Sequence, residues 1–175
     1  MGTRWLSDDE LTAWVRLVGV VELLPGVLDG QLRREAGLSH FEYFVLAMLS
    51  ESPQRTLRMT ALAARTNATL PRLSHVVRRL EERGLVERST CPQDARATNA
   101  RLTDEGWERL RRTAPGHVET VRQHVIDALT PEQVGQLGDI AEAILTRLDP
   151  DGAVDLHLAS TSTTHRTAPE RSSDA

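Results

Sequence analysis

The chain has 175 residues, 39% of them hydrophobic, a formal net charge of −4 and a single cysteine, Cys91. That length suits one compact unit rather than two full domains, and one cysteine per chain excludes an intramolecular disulfide and a cysteine-rich zinc site. No uninterrupted apolar run of about 18 residues is present, so no membrane span is expected, and residues 1–14 lack the basic-then-apolar order of a secretory leader, which makes a cytoplasmic location the default.

Ser7 with Glu10 matches a capping box, in which each side chain satisfies the other residue's backbone N–H. Leu11, Trp14, Val15, Val18, Val21, Leu24, Leu28 and Leu32 then recur at helical spacing, predicting a long first helix to about Glu35. Pro25 and Gly26 interrupt the pattern and should kink it, because proline lacks an N–H and clashes with the preceding turn. Gly37 ends the helix. Ser39 with Glu42 repeats the capping box, and Phe41, Phe44, Val45, Met48 and Leu49 make the second helix apolar over most of its surface, hence central.

A loop is expected over residues 51–56, followed by a short helix from a Thr60 cap to Thr66 with Leu62 and its alanines inward. Asn67 and Ala68 form a tight connection. Thr69 can cap the next helix, with Pro71 in the first turn, where a missing N–H costs nothing, and the helix should run to Arg83 before Gly84 stops it. Leu85, Val86 and Arg88 begin an extended strand, residues 91–95 turn, and residues 97–102 return as the second strand of a hairpin. Thr103 then caps a helix carrying Trp107, Leu110, Val118, Val121, Val125 and Leu129, with Pro115 and Gly116 as a candidate kink. Thr130, Pro131 and Gln133 open the last helix, whose stripe of Val134, Leu137, Ile140, Ala141, Ile144 and Leu148 ends at Pro150. Residues 150–175 hold many Ser and Thr and few large apolar groups, and are expected to be a disordered tail.

Charge is unevenly distributed. All 21 basic side chains are Arg, and ten of them fall between Arg55 and Arg101 against Glu81, Glu82, Glu87 and Asp94, a local charge of +6 that leaves −10 on the remainder. A basic segment in an acidic protein is the electrostatic footprint of a polyanion-binding surface. The bland alternative is a solvated charged face. No nucleophile with its base, no carboxylate pair and no phosphate loop is present, so no enzyme activity, catalytic residue or cofactor is expected.

Two short helices joined by a tight turn and followed by a polar-tipped hairpin describe a winged helix-turn-helix. The fold class is thus mainly α with a small β-hairpin wing: a winged helix-turn-helix over about 39–102 on a helical dimerisation domain of about 7–36 and 103–149, all within one unit of residues 1–149. In the second of these helices Leu73, Val76, Val77 and Leu80 form the buried stripe, while Pro71, His75 and Arg78, flanked by Arg72, Ser74 and Arg79, face outward. Arg72 and Arg78 could each fork onto a guanine edge, worth about 1–3 kcal/mol of discrimination. Contact with phosphate alone is the competing reading.

The sequence resembles the MarR family of bacterial regulators. The resemblance rests on residues 57–63 (LRMTALA), 72–77 (RLSHVV), 80–86 (LEERGLV), the wing run 94–98 (DARAT) and 102–106 (LTDEG), and covers roughly residues 6–148. It implies that Arg96 of the wing enters the minor groove with Asp94 orienting it, as a narrow groove of concentrated negative potential would favour. It also implies a homodimer built from the first, fifth and sixth helices that reads a palindromic DNA operator, with half-sites about 10 bp apart. The DNA-binding set is then Arg58, Thr69, Pro71, Arg72, Ser74, His75, Arg78, Arg79, Asp94 and Arg96. A repressor released by a small aromatic or phenolic effector is the leading reading, with Trp14, His40, Tyr43 and Phe44 in the matching region; the same aromatics also read as plain core. A constitutive or activating DNA binder without a ligand, and a winged helix used for protein contact, stay open.

Two further features carry less. Oxidant-sensing members place their reactive cysteine near the start of the first helix, whereas Cys91 lies at the wing, so an inert strand residue is expected over an exposed thiol activated by Arg88. His117 and His124 share a helix face but lack further ligands, so they are read as structural or solvent-facing and no metal site is expected.

Overall fold

The computed structural model describes residues 2–91 and 94–150, with Gly152 and Val154. The expected tail and part of the turn at 91–95 therefore lie outside the described residues. The order is α1 (Asp8–Ala36), α2 (His40–Ser50), a 3-10 turn (Pro53–Arg55), β1 (Thr56–Arg58), α3 (Met59–Arg65), α4 (Leu70–Glu82), β2 (Val86–Cys91), β3 (Asp94–Leu102), α5 (Asp104–His124), a second 3-10 turn (Ile126–Ala128) and α6 (Pro131–Leu148).

Local capping explains most boundaries. Ser7, Ser39 and Thr130 each form a complete capping box, and Thr69 and Thr103 each accept from an N–H of the first turn. Gly37 and Gly84, at φ 62° and 71°, supply the left-handed residues after α1 and α4. Both α1 and α5 run unbroken through their internal prolines, Pro25 and Pro115. The helix after Thr103 stops at His124 instead of reaching Leu129, where the 3-10 turn takes over.

The sheet has three antiparallel strands in the order β1-β3-β2. The expected loop at 51–56 instead leads into β1, which pairs Leu57 with Ala100 on β3. That strand displaces the expected cap: α3 begins at Met59 with extended Arg58 before it, not at Thr60. The hairpin pairs Val86 with Leu102 and runs out to Thr90 opposite Thr98, with a bulge before Cys91, so β3 starts at Asp94 rather than at residue 97.

One core lies under the hairpin and between the short helices. Leu46, Leu49, Leu62, Leu73, Val77, Leu80, Leu85, Ala100 and Leu102 are its interior, with Leu110 reaching in from α5. Of the stripe expected on α4, Leu73, Val77 and Leu80 are fully buried and Val76 packs at the edge. The remaining helices contrast sharply with this. Only Leu28, Gln31 and Leu32 of α1 are buried, and no residue of α6 is. Although no uninterrupted apolar run exists, α1 contains an 18-residue window of mean hydropathy 1.7 of which only 6% is buried, so by length and composition alone it could cross a bilayer. Its apolar face needs a cover of some kind.

Candidate nucleic-acid interface

α4 begins where Thr69 Oγ1 accepts from the Arg72 N–H and Pro71 occupies the first turn, leaving the positive end of the helix in solvent. The helix carries two distinct polar arcs. His75 and Arg78 are exposed, and Arg78 Nη2 donates to His75 Nδ1 at 3.1 Å, with Glu82 3.9 Å from Arg78 Nε. The other arc faces α2: Arg72 stacks on the Phe41 ring, and Arg79 and Arg83 approach Glu42. Arg79 thus lies on the flank of the His75 and Arg78 arc, exposed but turned toward α2.

The wing completes the surface. Asp94 Oδ1 accepts from the Arg96 backbone N–H at 3.0 Å, an arrangement that fixes the chain direction at Arg96 and leaves its side chain exposed. A cleft of about 200 Å³ joins the wing to the helix: Arg58 from the end of β1, Ser74 from α4, and Arg88, Arg96 and Thr98 from the hairpin line it. Arg58 reaches this cleft only because β1 pairs with β3. Thr98 and Arg88 lie outside the DNA-binding set read from the sequence, since nothing local marks which strand residues face α4.

Most arginines of the basic stretch are already matched. Arg55 meets Asp104, Arg88 meets Glu81 and Arg101 meets Glu87, and the guanidiniums of Arg88 and Arg101 hold Glu81 and Glu87 below the ordinary carboxylate range. Among the described residues, Arg58, Arg72 and Arg96 have no carboxylate partner. The local charge of +6 thus overstates the cation available to a polyanion, and the useful part is concentrated at one cleft and one flank. Arg58 also donates to Cys91 Sγ at 3.5 Å. Cys91 is buried, which overturns the idea of an exposed thiol beside Arg88.

The candidate effector residues separate. His40 and Tyr43 on α2 meet His117 on α5, with Tyr43 and His117 ring centroids 4.5 Å apart and His40 at 6.2 Å. Burial lowers the pKa of His40 and of His117 and raises that of Tyr43. His117 Nδ1 is buried without a hydrogen-bond partner, and the sequence had given no reason to place this histidine with the α2 rings. Phe44 packs against the core. Trp14 is exposed on α1, 15 residues before Asp29, whose Oδ1 accepts from the His40 N–H. At 1.5 Å per residue that is about 22 Å along the helix, so one chain does not bring Trp14 to the other three.

A tight two-helix unit with a paired wing, a capped and exposed second helix and, among the described residues, arginines without a carboxylate partner on both defines a winged helix-turn-helix DNA-binding protein. The profile of the MarR family matches residues 38–98. The chain is 50% identical to Sco3205, a MarR family transcriptional regulator from Streptomyces coelicolor whose crystal structure is in complex with DNA, with a TM-score of 0.82 over 86% of this chain and 94% of that one. AbsC, a MarR family transcriptional regulator of the same organism, is 40% identical, with a TM-score of 0.79 over 85% of this chain and 99% of that one. The HTH-type transcriptional repressor YetL of Bacillus subtilis (strain 168) is 31% identical over 111 residues, 62% of this chain and 66% of YetL. The chain belongs to the MarR family: it is a DNA-binding transcription regulator, and not an enzyme.

Proposed function

We propose that the protein acts as a cytoplasmic homodimeric repressor that occupies a palindromic operator and leaves it when a small aromatic or phenolic effector binds. The observation that carries the dimer is the uncovered apolar surface of α1 and α6: Leu23 is 73% exposed, Ile140 58% and Leu148 75%. A reading head with its own closed core cannot cover these stripes, and a second copy offers the same faces in return. The charges carried by α1, among them Arg16, Glu22, Asp29, Arg33 and Arg34, favour this cover over a bilayer.

In this reading α4 enters the major groove with Pro71, Ser74, His75 and Arg78 toward the bases. Thr69, Arg58 and Arg72 hold phosphates, and Arg96, steadied through Asp94, enters the minor groove. The half-buried rings of His40, Tyr43 and Phe44 on α2 form an apolar wall beside α5. The unpartnered His117 Nδ1 offers one polar anchor to a ligand hydroxyl or carboxylate, and Trp14 would come from the second copy.

The test joins two measurements. Sedimentation should give twice the chain mass, and a duplex from the protein's own upstream region should shift in a gel at low salt. A monomer at micromolar concentration, or no shift, would sink the reading. Phenolic acids added to the shifted complex should release it; a complex indifferent to them leaves a constitutive regulator. Arg78→Ala should relax preference at one operator position if Arg78 reads a base, and weaken all sequences alike if it holds a phosphate.

A further inference from the structure

Arg72, Arg79 and Arg83 are spaced seven and four residues apart, so at about 100° per residue they line one flank of α4, whereas His75 and Arg78 fall on the next arc round. That flank is held by the first turn of α2. Phe41 takes Arg72, with the guanidinium 4.3 Å from the ring centroid. Glu42, whose side chain is 3% exposed, takes the other two: Arg79 Nη2 is 3.5 Å and Arg83 Nη1 3.8 Å from its Oε1.

The two oxygens of Glu42 do separate work. Oε2 accepts from the Ser39 N–H at 2.7 Å and from Ser39 Oγ at 3.1 Å, closing the capping box of α2. Oε1 is buried and makes no hydrogen bond, so its compensation is the charge of nearby guanidiniums, those of Arg79 and Arg83 with Arg33 of α1. A carboxylate out of water and fixed to α2 therefore pulls on α4 at two points one turn apart, which sets the rotation of the helix about its own axis. The same contact engages two cations on the flank of α4. An arginine free to reach phosphate strengthens binding to every sequence alike and leaves the difference between affinities unchanged; discrimination falls when α4, released from Glu42, turns its base-facing arc out of place.

We propose that Glu42 is a specificity-determining positioning residue of the DNA reader: it orients α4 and withholds Arg79 and Arg83 from phosphate, leaving the contacts to the arc of His75 and Arg78. The inference rests on α4 being the reading helix.

The test uses the full chain and two duplexes, one of 30 bp selected by the wild type from a randomised pool and a scrambled one of the same composition. Glu42→Gln keeps an acceptor for the Ser39 N–H and removes the charge. It should bind the scrambled duplex more tightly and steepen the slope of log affinity against log salt by about one unit per guanidinium reaching phosphate, and the preference for the selected duplex should fall at least ~5-fold. Adding Arg79→Gln to that variant should return the slope toward the wild-type value. Equal loss of affinity for both duplexes with an unchanged slope would show that Glu42 only holds the fold, and overturn the proposal. Arg79→Gln alone provides a variant that leaves Glu42 and the α2 cap in place. Its salt slope should equal that of the wild type; a slope shallower by about one unit would put Arg79 on phosphate and also overturn the proposal. A wild type that selects no duplex removes the reading by α4 itself, and the proposal with it.

Discussion

The guanidinium of Arg72 on α4 lies 4.3 Å from the centroid of the Phe41 ring on α2. A residue with the reach to fork onto a base or hold a phosphate is thus parked on its own protein in the absence of DNA. An exposed cation–π contact is worth about 0.5–1 kcal/mol. Where Arg72 leaves the ring to bind DNA, that energy opposes binding. Phe41→Leu should then tighten operator binding ~2- to 5-fold, measured by anisotropy after a thermal melt has established that the variant folds. Weaker binding would show that the stack orients Arg72 for its contact.

Arg96 has no carboxylate partner among the described residues, and its N–H is held by Asp94 Oδ1. Arg96→Ala should weaken binding and make the salt slope shallower by about one unit if the guanidinium replaces a counterion. Asp94→Ala should weaken binding less while leaving the slope alone, because it removes the orientation and not the charge. An Arg96→Ala protein with wild-type affinity and slope would remove the wing from the mechanism.

Gly106, in the first turn of α5, packs against the base of the hairpin. A Cβ there would stand 2.1 Å from the Leu85 carbonyl oxygen and 2.7 Å from Leu102 Cδ1. Backbone cannot yield as the tip of a side chain can, so Gly106→Ala should cost on the order of 1–3 kcal/mol or more by overpacking. Thermal denaturation should show a lower Tm and a loosened hairpin; a Tm within about a degree of the wild type would mean that α5 shifts freely on the wing.

His40 and His117 are both held neutral by burial, His117 also by its neighbour His40, while Asp29 opposes the shift at His40. Their folded pKa values lie below the unfolded value near 6.5, so the unfolded chain binds more protons between those values. Stability should therefore be fully present above about pH 6.5 and fall as pH drops below it. The carboxylates with shifted pKa values facing arginines, Asp29, Glu81, Glu87 and Glu108, are lowered from an already acidic range and stay charged in that window. Tm measured from pH 7.5 to pH 5 should decline, and His117→Gln should flatten the decline. An equal slope in the variant would place the titration elsewhere.

Features that depend on three or four neighbouring residues were legible without coordinates. The caps at Ser7, Ser39, Thr69, Thr103 and Thr130 fall where a hydroxyl precedes a helical pattern, because a cap is a hydrogen bond within one turn. The three-residue β1 was not legible. Its stability comes from pairing with β3 more than 40 positions away, and its gain moved the start of α3 off the Thr60 hydroxyl. The contact of Arg58 with Cys91 depends on the same pairing, which holds Arg58 on the sheet that carries the wing.

The sequence by itself determined the helices, the hairpin, the family and the arginine-bearing surface, since periodicity, capping and short motifs are properties of a continuous stretch of chain. Tertiary structure alone decided which arginines that surface offers. Glu42 is far from Arg79 along the chain and beside it in space, and His117 meets Tyr43 only because α5 packs on α2. Charge at short range depends on distance through the fold, so ten basic residues in one segment resolve into paired cations, one stacked cation and a few left for DNA only after the helices are docked.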